Sequence, residues 1–310
     1  MLNCFGLPCR LIATTLAFLL LATGCDKGDS ASTDNRRQAA RENVEAMARE
    51  HADDTTAPSE AAQVEPQHAV ISERLPYGEV GDELVYGHFV FPADMVDPLP
   101  AIIVIHEWWG LNDNVKAMSD RLAAEGFIVL AVDLYGGEIA TTPGEARAKM
   151  IGIVENPDRA TENIQQAYDF VNTVAGAPRT GSLGWCMGGG WSLNTAMLFP
   201  DDLDAAVIYY GQVTADEDVL RPVNVPILGL FGEADTGIPV SSVRAFEESL
   251  TRLRKDFEIH IYPGAEHAFA NPTGVAYNRA AAEDAWEKTL AFLDRTLVNS
   301  EAQEADGAAE

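Results

Sequence analysis

Ala101–Ile105 is an unbroken apolar run between Pro100 and His106. Such a run predicts a strand covered on both faces, because no alternate position is left polar for solvent. Leu84–Phe91, Phe127–Val132, Thr180–Leu183, Ala205–Tyr210, Pro226–Phe231 and Phe257–Tyr262 also read as strands. Helical spacing falls between them. It covers Val115–Glu125 (ended by Gly126), Glu145–Val154, Arg159–Val174, Trp191–Leu198 (stopped by Pro200), Val240–Leu253 and Ala280–Leu297. Strand alternating with helix predicts an α/β fold: a mostly parallel central sheet with helices on both faces. Ligands on such a sheet bind at the carboxyl ends of the strands. Chemistry is therefore expected in segments 106–112, 133–138, 184–190, 232–239 and 263–271.

The pattern fades at both ends. Arg10 precedes an apolar run from Leu11 to Ala22, shorter than the about 20 residues of a membrane span. It fits a signal peptide over residues 1–24. Leu21-Ala22-Thr23-Gly24-Cys25 resembles a bacterial lipoprotein cleavage site, which makes Cys25 the expected lipidation site. A plain cleaved signal and an uncleaved anchor are the alternatives. Residues 25–68 nearly lack large apolar side chains and read as a disordered acidic tether. Within it, Arg36–Arg49 could form a transient helix, but with no apolar face to dock. Residues 298–310 read as a disordered acidic tail, leaving 69–297 as the folded domain.

Charge narrows the partners. The chain carries 48 acidic and 21 basic side chains, a formal charge of -27. No basic stripe exists for a nucleic-acid backbone, and the folded domain is unsuited to an anionic membrane surface. Membrane contact is expected through the N-terminal lipid alone, in the bacterial cell envelope facing the periplasm. The cysteines are Cys4, Cys9, Cys25 and Cys186. With 1–24 removed and Cys25 acylated, Cys186 is the only thiol left, and an internal disulfide is impossible.

Gly184-Trp185-Cys186-Met187-Gly188 has the form G-x-nucleophile-x-G between a predicted strand and a predicted helix. That is the context of a nucleophile elbow. The helix N-terminus favours a thiolate, and the Met187 amide faces the place where an oxyanion would form. The bland reading is a Gly-rich packing turn around a buried thiol. An elbow calls for an acid and then a histidine, each after a later strand. Asp235 in Gly232-Glu233-Ala234-Asp235 and His267 in Gly264-Ala265-Glu266-His267 fall in that order. His267 would serve as general base and acid, with Asp235 fixing its tautomer. Glu233 competes as the acid, and Asp235 is preferred. His106-Glu107-Trp108-Trp109-Gly110 follows the Ala101–Ile105 strand. Trp108 is the candidate for the second oxyanion amide. Glu107 would sit near Cys186, where a carboxylate raises a thiol pKa.

Together, Glu107 in HEWWG, Asp133-Leu134-Tyr135, Cys186 in GWCMGG, Asp235 in GEAD and His267 in GAEHAF resemble the dienelactone hydrolase family, over roughly residues 70–297. The resemblance implies an α/β-hydrolase fold and a Cys–His–Asp triad. It also implies that Glu107 pairs with the resting thiol until substrate displaces that pairing. It further implies two arginines that hold a substrate carboxylate, one just after the Asp-Leu-Tyr segment and one just after the histidine. Here those neighbourhoods read Gly136-Gly137 and Ala270-Asn271. The expected activity is therefore cleavage of a small uncharged ester or lactone through a Cys186 thioester. The alternative is a non-catalytic, envelope-anchored binding lipoprotein on a hydrolase scaffold. A thiol-redox role lacks a C-x-x-C pair, no H-E-x-x-H metal motif occurs, and no dinucleotide fingerprint opens the domain, so no cofactor or metal is expected.

Overall fold

The computed structural model describes residues 37–52, except 39, 43 and 50, and residues 66–299. The expected signal peptide, the lipidation site Cys25 and the tail from 300 lie outside the described residues. Among the described residues no helix is long and apolar enough to cross a membrane.

Eight strands form one sheet: β1 (Val70–Val80), β2 (Glu83–Pro92), β3 (Ala101–Ile105), β4 (Ile128–Val132), β5 (Thr180–Trp185), β6 (Ala205–Tyr209), β7 (Ile227–Gly232) and β8 (Phe257–Tyr262). Their spatial order is β1-β2-β4-β3-β5-β6-β7-β8. β1 with β2 and β2 with β4 are antiparallel, and every later pairing is parallel. Helices flank this sheet as predicted. They are α1 (residues 37–49), α2 (Asp113–Ala124), α3 (Pro143–Glu155), α4 (Pro157–Thr173), α5 (Met187–Leu198), α6 (Glu217–Leu220), α7 (Val240–Arg252) and α8 (Arg279–Leu293).

The strands read as continuous apolar runs are the buried centre. β3, β4 and β6 are buried at every residue, as are β5 and β7. Each fully buried Val, Leu or Ile contributes roughly 1.5–3 kcal/mol, so these strands hold the frame on which the loops at their carboxyl ends stand. Asn112 and Thr142 cap α2 and α3 by accepting the amides of Val115 and Glu145, the role expected of such residues at a helix start.

Four elements differ from the sequence reading, the short α6 among them. β1 was not expected. It is an edge strand with a register shift between Pro76 and Gly78, and much of it faces solvent, so it lacks an apolar run. The closing helix is α for Arg279–Leu293 and then widens to π over Asp294–Val298. The largest difference is α1. A disordered tether does not describe residues 37–52, because α1 buries Val44 and Met47, at 1% and 3% exposure. These two side chains lie three apart, on one helix face. Arg41 pairs with Glu155 of α3 at 3.0 Å. Arg147 of α3 grips Glu45 through two bonds, the Nε one at 2.9 Å. The folded part thus includes residues 37–52 as well as the 69–297 domain.

Candidate active site

Cys186 stands between the end of β5 and the start of α5 with φ 57° and ψ −119°. A non-glycine residue held there costs about 1–3 kcal/mol and persists only where its surroundings over-determine it. Those surroundings are backbone. A Cβ on Gly184 would lie 2.1 Å from the Gly188 carbonyl oxygen, and one on Gly188 would lie 2.1 Å from that of Ile105. Only glycine fits either position, which is why the motif has glycines there. Cys186 N–H donates to Tyr209 O at 3.0 Å, tying the turn to β6.

The backbone amides of Met187 and Trp108 both act on the Cys186 thiol in the direction that favours its thiolate. These are the two amides that the sequence offers for an oxyanion hole. The Trp108 segment is held in turn by Tyr135, whose hydroxyl donates to Trp108 O at 3.1 Å. Burial pushes the Cys186 thiol well above its ordinary range. The Glu107 charge adds to the rise, and the two amides offset only part of it. Burial and the Glu107 charge both favour the neutral thiol.

His267 and Asp235 form the other half. His267 Nδ1 lies 2.7 Å from Asp235 Oδ2, with both side chains fully buried. Asp235 Oδ1 accepts the Ile238 amide at 2.7 Å. One carboxylate thereby fixes the imidazole and its own loop together. Glu233, the competing acid, is exposed and accepts the Gly264 amide at 3.1 Å. Asp235 and not Glu233 meets the histidine. His267 Nε2, the nitrogen opposite Asp235, is buried without a hydrogen-bond partner among the described residues.

Glu107 is buried at 6% exposure. Asn271 Nδ2 donates to both its oxygens, at 3.0 and 3.1 Å. Asn271 is itself oriented by Thr273, whose amide and hydroxyl donate to Asn271 Oδ1 at 2.9 and 2.6 Å. His106 is structural: its Nε2 accepts the Leu134 amide at 3.1 Å and its Nδ1 donates to Glu107 O at 2.6 Å. Burial holds its pKa down. Trp109 packs at 4.9 Å from Trp108, ring centre to ring centre.

The thiol does not face an open cleft. Cys186 Sγ lies 2.9 Å from Met47 Sδ of α1 and donates to it. His51, just beyond α1, sets its ring 5.1 Å from that of His267 and 5.7 Å from that of Trp108. Sequence reasoning missed Asn271, Met47 and His51. Met47 and Val44 are the only large apolar side chains in their stretch, and that spacing was the one signal available. Among the described residues no cluster of three or more His, Cys, Asp and Glu side chains is placed to hold a metal ion.

An eight-stranded sheet of this order, with a thiol at a strand-to-helix elbow and an Asp–His pair after two later strands, defines the class as an α/β-hydrolase. The dienelactone hydrolase family model matches residues 86–297. The chain belongs to the dienelactone hydrolase family and is a hydrolase of ester or lactone bonds. Among its relatives is the "Putative carboxymethylenebutenolidase" of Saccharolobus solfataricus. The two are 34% identical over 242 residues, covering 66% of this chain and 93% of that protein. The crystal structure of a "Putative Dienelactone Hydrolase" from Klebsiella pneumoniae has 27% identity and a TM-score of 0.65, covering 74% of this chain and 100% of that one. Dienelactone hydrolase from Anabaena variabilis shares the fold at 18% identity and a TM-score of 0.57, covering 74% and 100%.

Proposed function

We propose that this enzyme hydrolyses small uncharged esters or lactones through a thioester acyl-enzyme on Cys186. The observation that carries the reading is the buried His267–Asp235 pair at 2.7 Å, in a chain whose cysteine stands at a strand-to-helix elbow. His267 Nε2 takes the thiol proton as Sγ attacks the substrate carbonyl carbon. The amides of Met187 and Trp108 receive the carbonyl oxygen as it becomes an oxyanion. Collapse breaks the ester C–O bond, and the leaving alkoxide takes the proton from His267. Water then gives a proton to His267 and attacks the thioester. Release of the acid returns the proton to sulfur. Asp235 acts as a positioning residue throughout.

Substrate charge follows from the surroundings. No guanidinium stands at Gly136-Gly137 or Ala270-Asn271. Asn271, where the family resemblance implies an arginine nearby, is engaged with the Glu107 carboxylate. A substrate carboxylate would meet a buried negative group and no fork to pair with. The test is hydrolysis of p-nitrophenyl esters and of neutral and carboxylated lactones by the full chain, beside Cys186→Ala. Activity on neutral substrates that disappears in Cys186→Ala is expected. Preference for the carboxylated lactone would overturn the substrate class. Activity retained in Cys186→Ala would overturn the nucleophile.

The N-terminal pattern supports a lipid on Cys25 and residence in the cell envelope. Incorporation of labelled fatty acid that is lost in Cys25→Ala is the expected result, and incorporation that survives would rule out this site.

A further inference from the structure

The contact between α1 and the thiol places a side chain where a substrate must go. Attack requires the carbonyl carbon to approach Cys186 Sγ to about 3–3.5 Å. Met47 Sδ already stands 2.9 Å from that atom. His51 covers the imidazole and the Trp108 ring from the same segment. With α1 seated, Cys186 is 3% and His267 0% exposed. The cavity beside Glu107, lined in part by Tyr210, Trp185 and Asn271 but not by Cys186 or His267, amounts to only ≈ 20 Å³. A ligand pocket ordinarily offers about 300–1,000 Å³. Substrate and α1 cannot occupy the site together.

The attachment of α1 suits displacement. Its described contacts are two buried apolar side chains, Val44 and Met47, the partly buried Ala48, and ion pairs to α3 at Glu45–Arg147 and Arg41–Glu155. No strand ladder holds it. The ion pairs are about half exposed, and pairs reached by solvent add little. Met is also an unbranched side chain that adapts to irregular apolar gaps.

We infer that α1 is an autoinhibitory plug: the segment 37–52 occupies the substrate site through Met47, and the enzyme admits an ester only when that segment lifts. The inference rests on the hydrolase reading for the identity of what enters, but not for the closure itself. A tethered competitor lowers apparent affinity by the fraction of time the site is open. Weakening the plug should therefore lower KM and leave kcat unchanged.

The test uses the full chain and two independent variants, Met47→Ala and Glu45→Arg, with Glu45→Arg/Arg147→Glu as a charge-swapped rescue. Iodoacetamide alkylation is followed at the Cys186 peptide by mass spectrometry, which separates it from the other cysteines. Hydrolysis of p-nitrophenyl butyrate is followed in parallel. Met47→Ala should raise the alkylation rate about tenfold and Glu45→Arg a few-fold, with the swap returning it toward wild type. KM should fall in the same order. Equal alkylation rates in all four proteins would overturn the plug, whatever the turnover. Faster alkylation in the variants without turnover in any form would keep the plug and overturn the hydrolase reading instead.

Discussion

On one side of the Cys186 sulfur stand the amides of Met187 and Trp108, carried by the ends of β5 and β3. On another stands Met47, carried by α1. The first side is backbone held by a parallel sheet, and its glycines are packed so closely that a single methyl cannot be added. The second is a side chain on a mostly polar helix that shares no ladder with the sheet. The comparison teaches a division of labour. Parts that must be in place during reaction are built from backbone and buried strands, whose alternatives are costly. The part that must leave is attached by few contacts, most of them near solvent.

That contrast can be broken at several points, with effects of decreasing size. Cys186→Ala or His267→Ala should lower kcat/KM by about a thousandfold or more, since members of such a unit fail together. Asp235→Asn should follow closely, because the imidazole loses its fixed tautomer. A purified Cys186→Ala protein with ester turnover near wild type would dismiss the whole backbone side. Gly184→Ala should cost roughly 4 kcal/mol or more in urea unfolding, as expected when a methyl is driven into backbone. A well-folded Gly184→Ala of unchanged midpoint would mean that the elbow is softer than its packing implies. Asn271→Ala should cost about 1–3 kcal/mol by removing both described bonds to a buried carboxylate.

The smallest effect is electrostatic. Burial first, and then Glu107, holds the Cys186 thiol above its ordinary value of 9.0. A raised pKa means that the folded protein keeps the proton that the unfolded chain loses, so stability should decline as pH rises above about 9. Alkylation of the folded wild type should climb without a plateau beyond pH 10, whereas that of the urea-unfolded chain should reach half its plateau near pH 9 and level off about one unit higher. Glu107→Gln should raise the alkylation rate at pH 8 a few-fold, because the largest charge that raises the pKa is gone. A plateau near pH 7 in the folded wild type would mean a resting thiolate.

The backbone side was largely legible in the sequence. β3, β4 and β7 are apolar at nearly every position because both faces are covered, so their runs needed no context. The elbow glycines, Asp235 and His267 could be placed because each follows a strand in a fixed order. Glu107 was found in the same way. Asn271 was not, since its partner lies 164 residues away and nothing local in an Ala-Asn-Pro turn marks it. α1 was misread for a related reason. Two apolar residues in a charged helix make a narrow seam, whose value depends on a site that the sequence does not display beside it. β1 escaped because an edge strand alternates weakly and Pro76 interrupts it.

The sulfur–sulfur contact also bears on how long a molecule lasts. Peroxides and disulfides consume thiolates far faster than thiols, and they need access to the atom. Cys186, the only cysteine among the described residues, rests neutral and covered. Its exposure to oxidants then follows the time that α1 spends lifted rather than the age of the molecule. An idle molecule keeps its nucleophile, and damage falls mainly on the molecules at work.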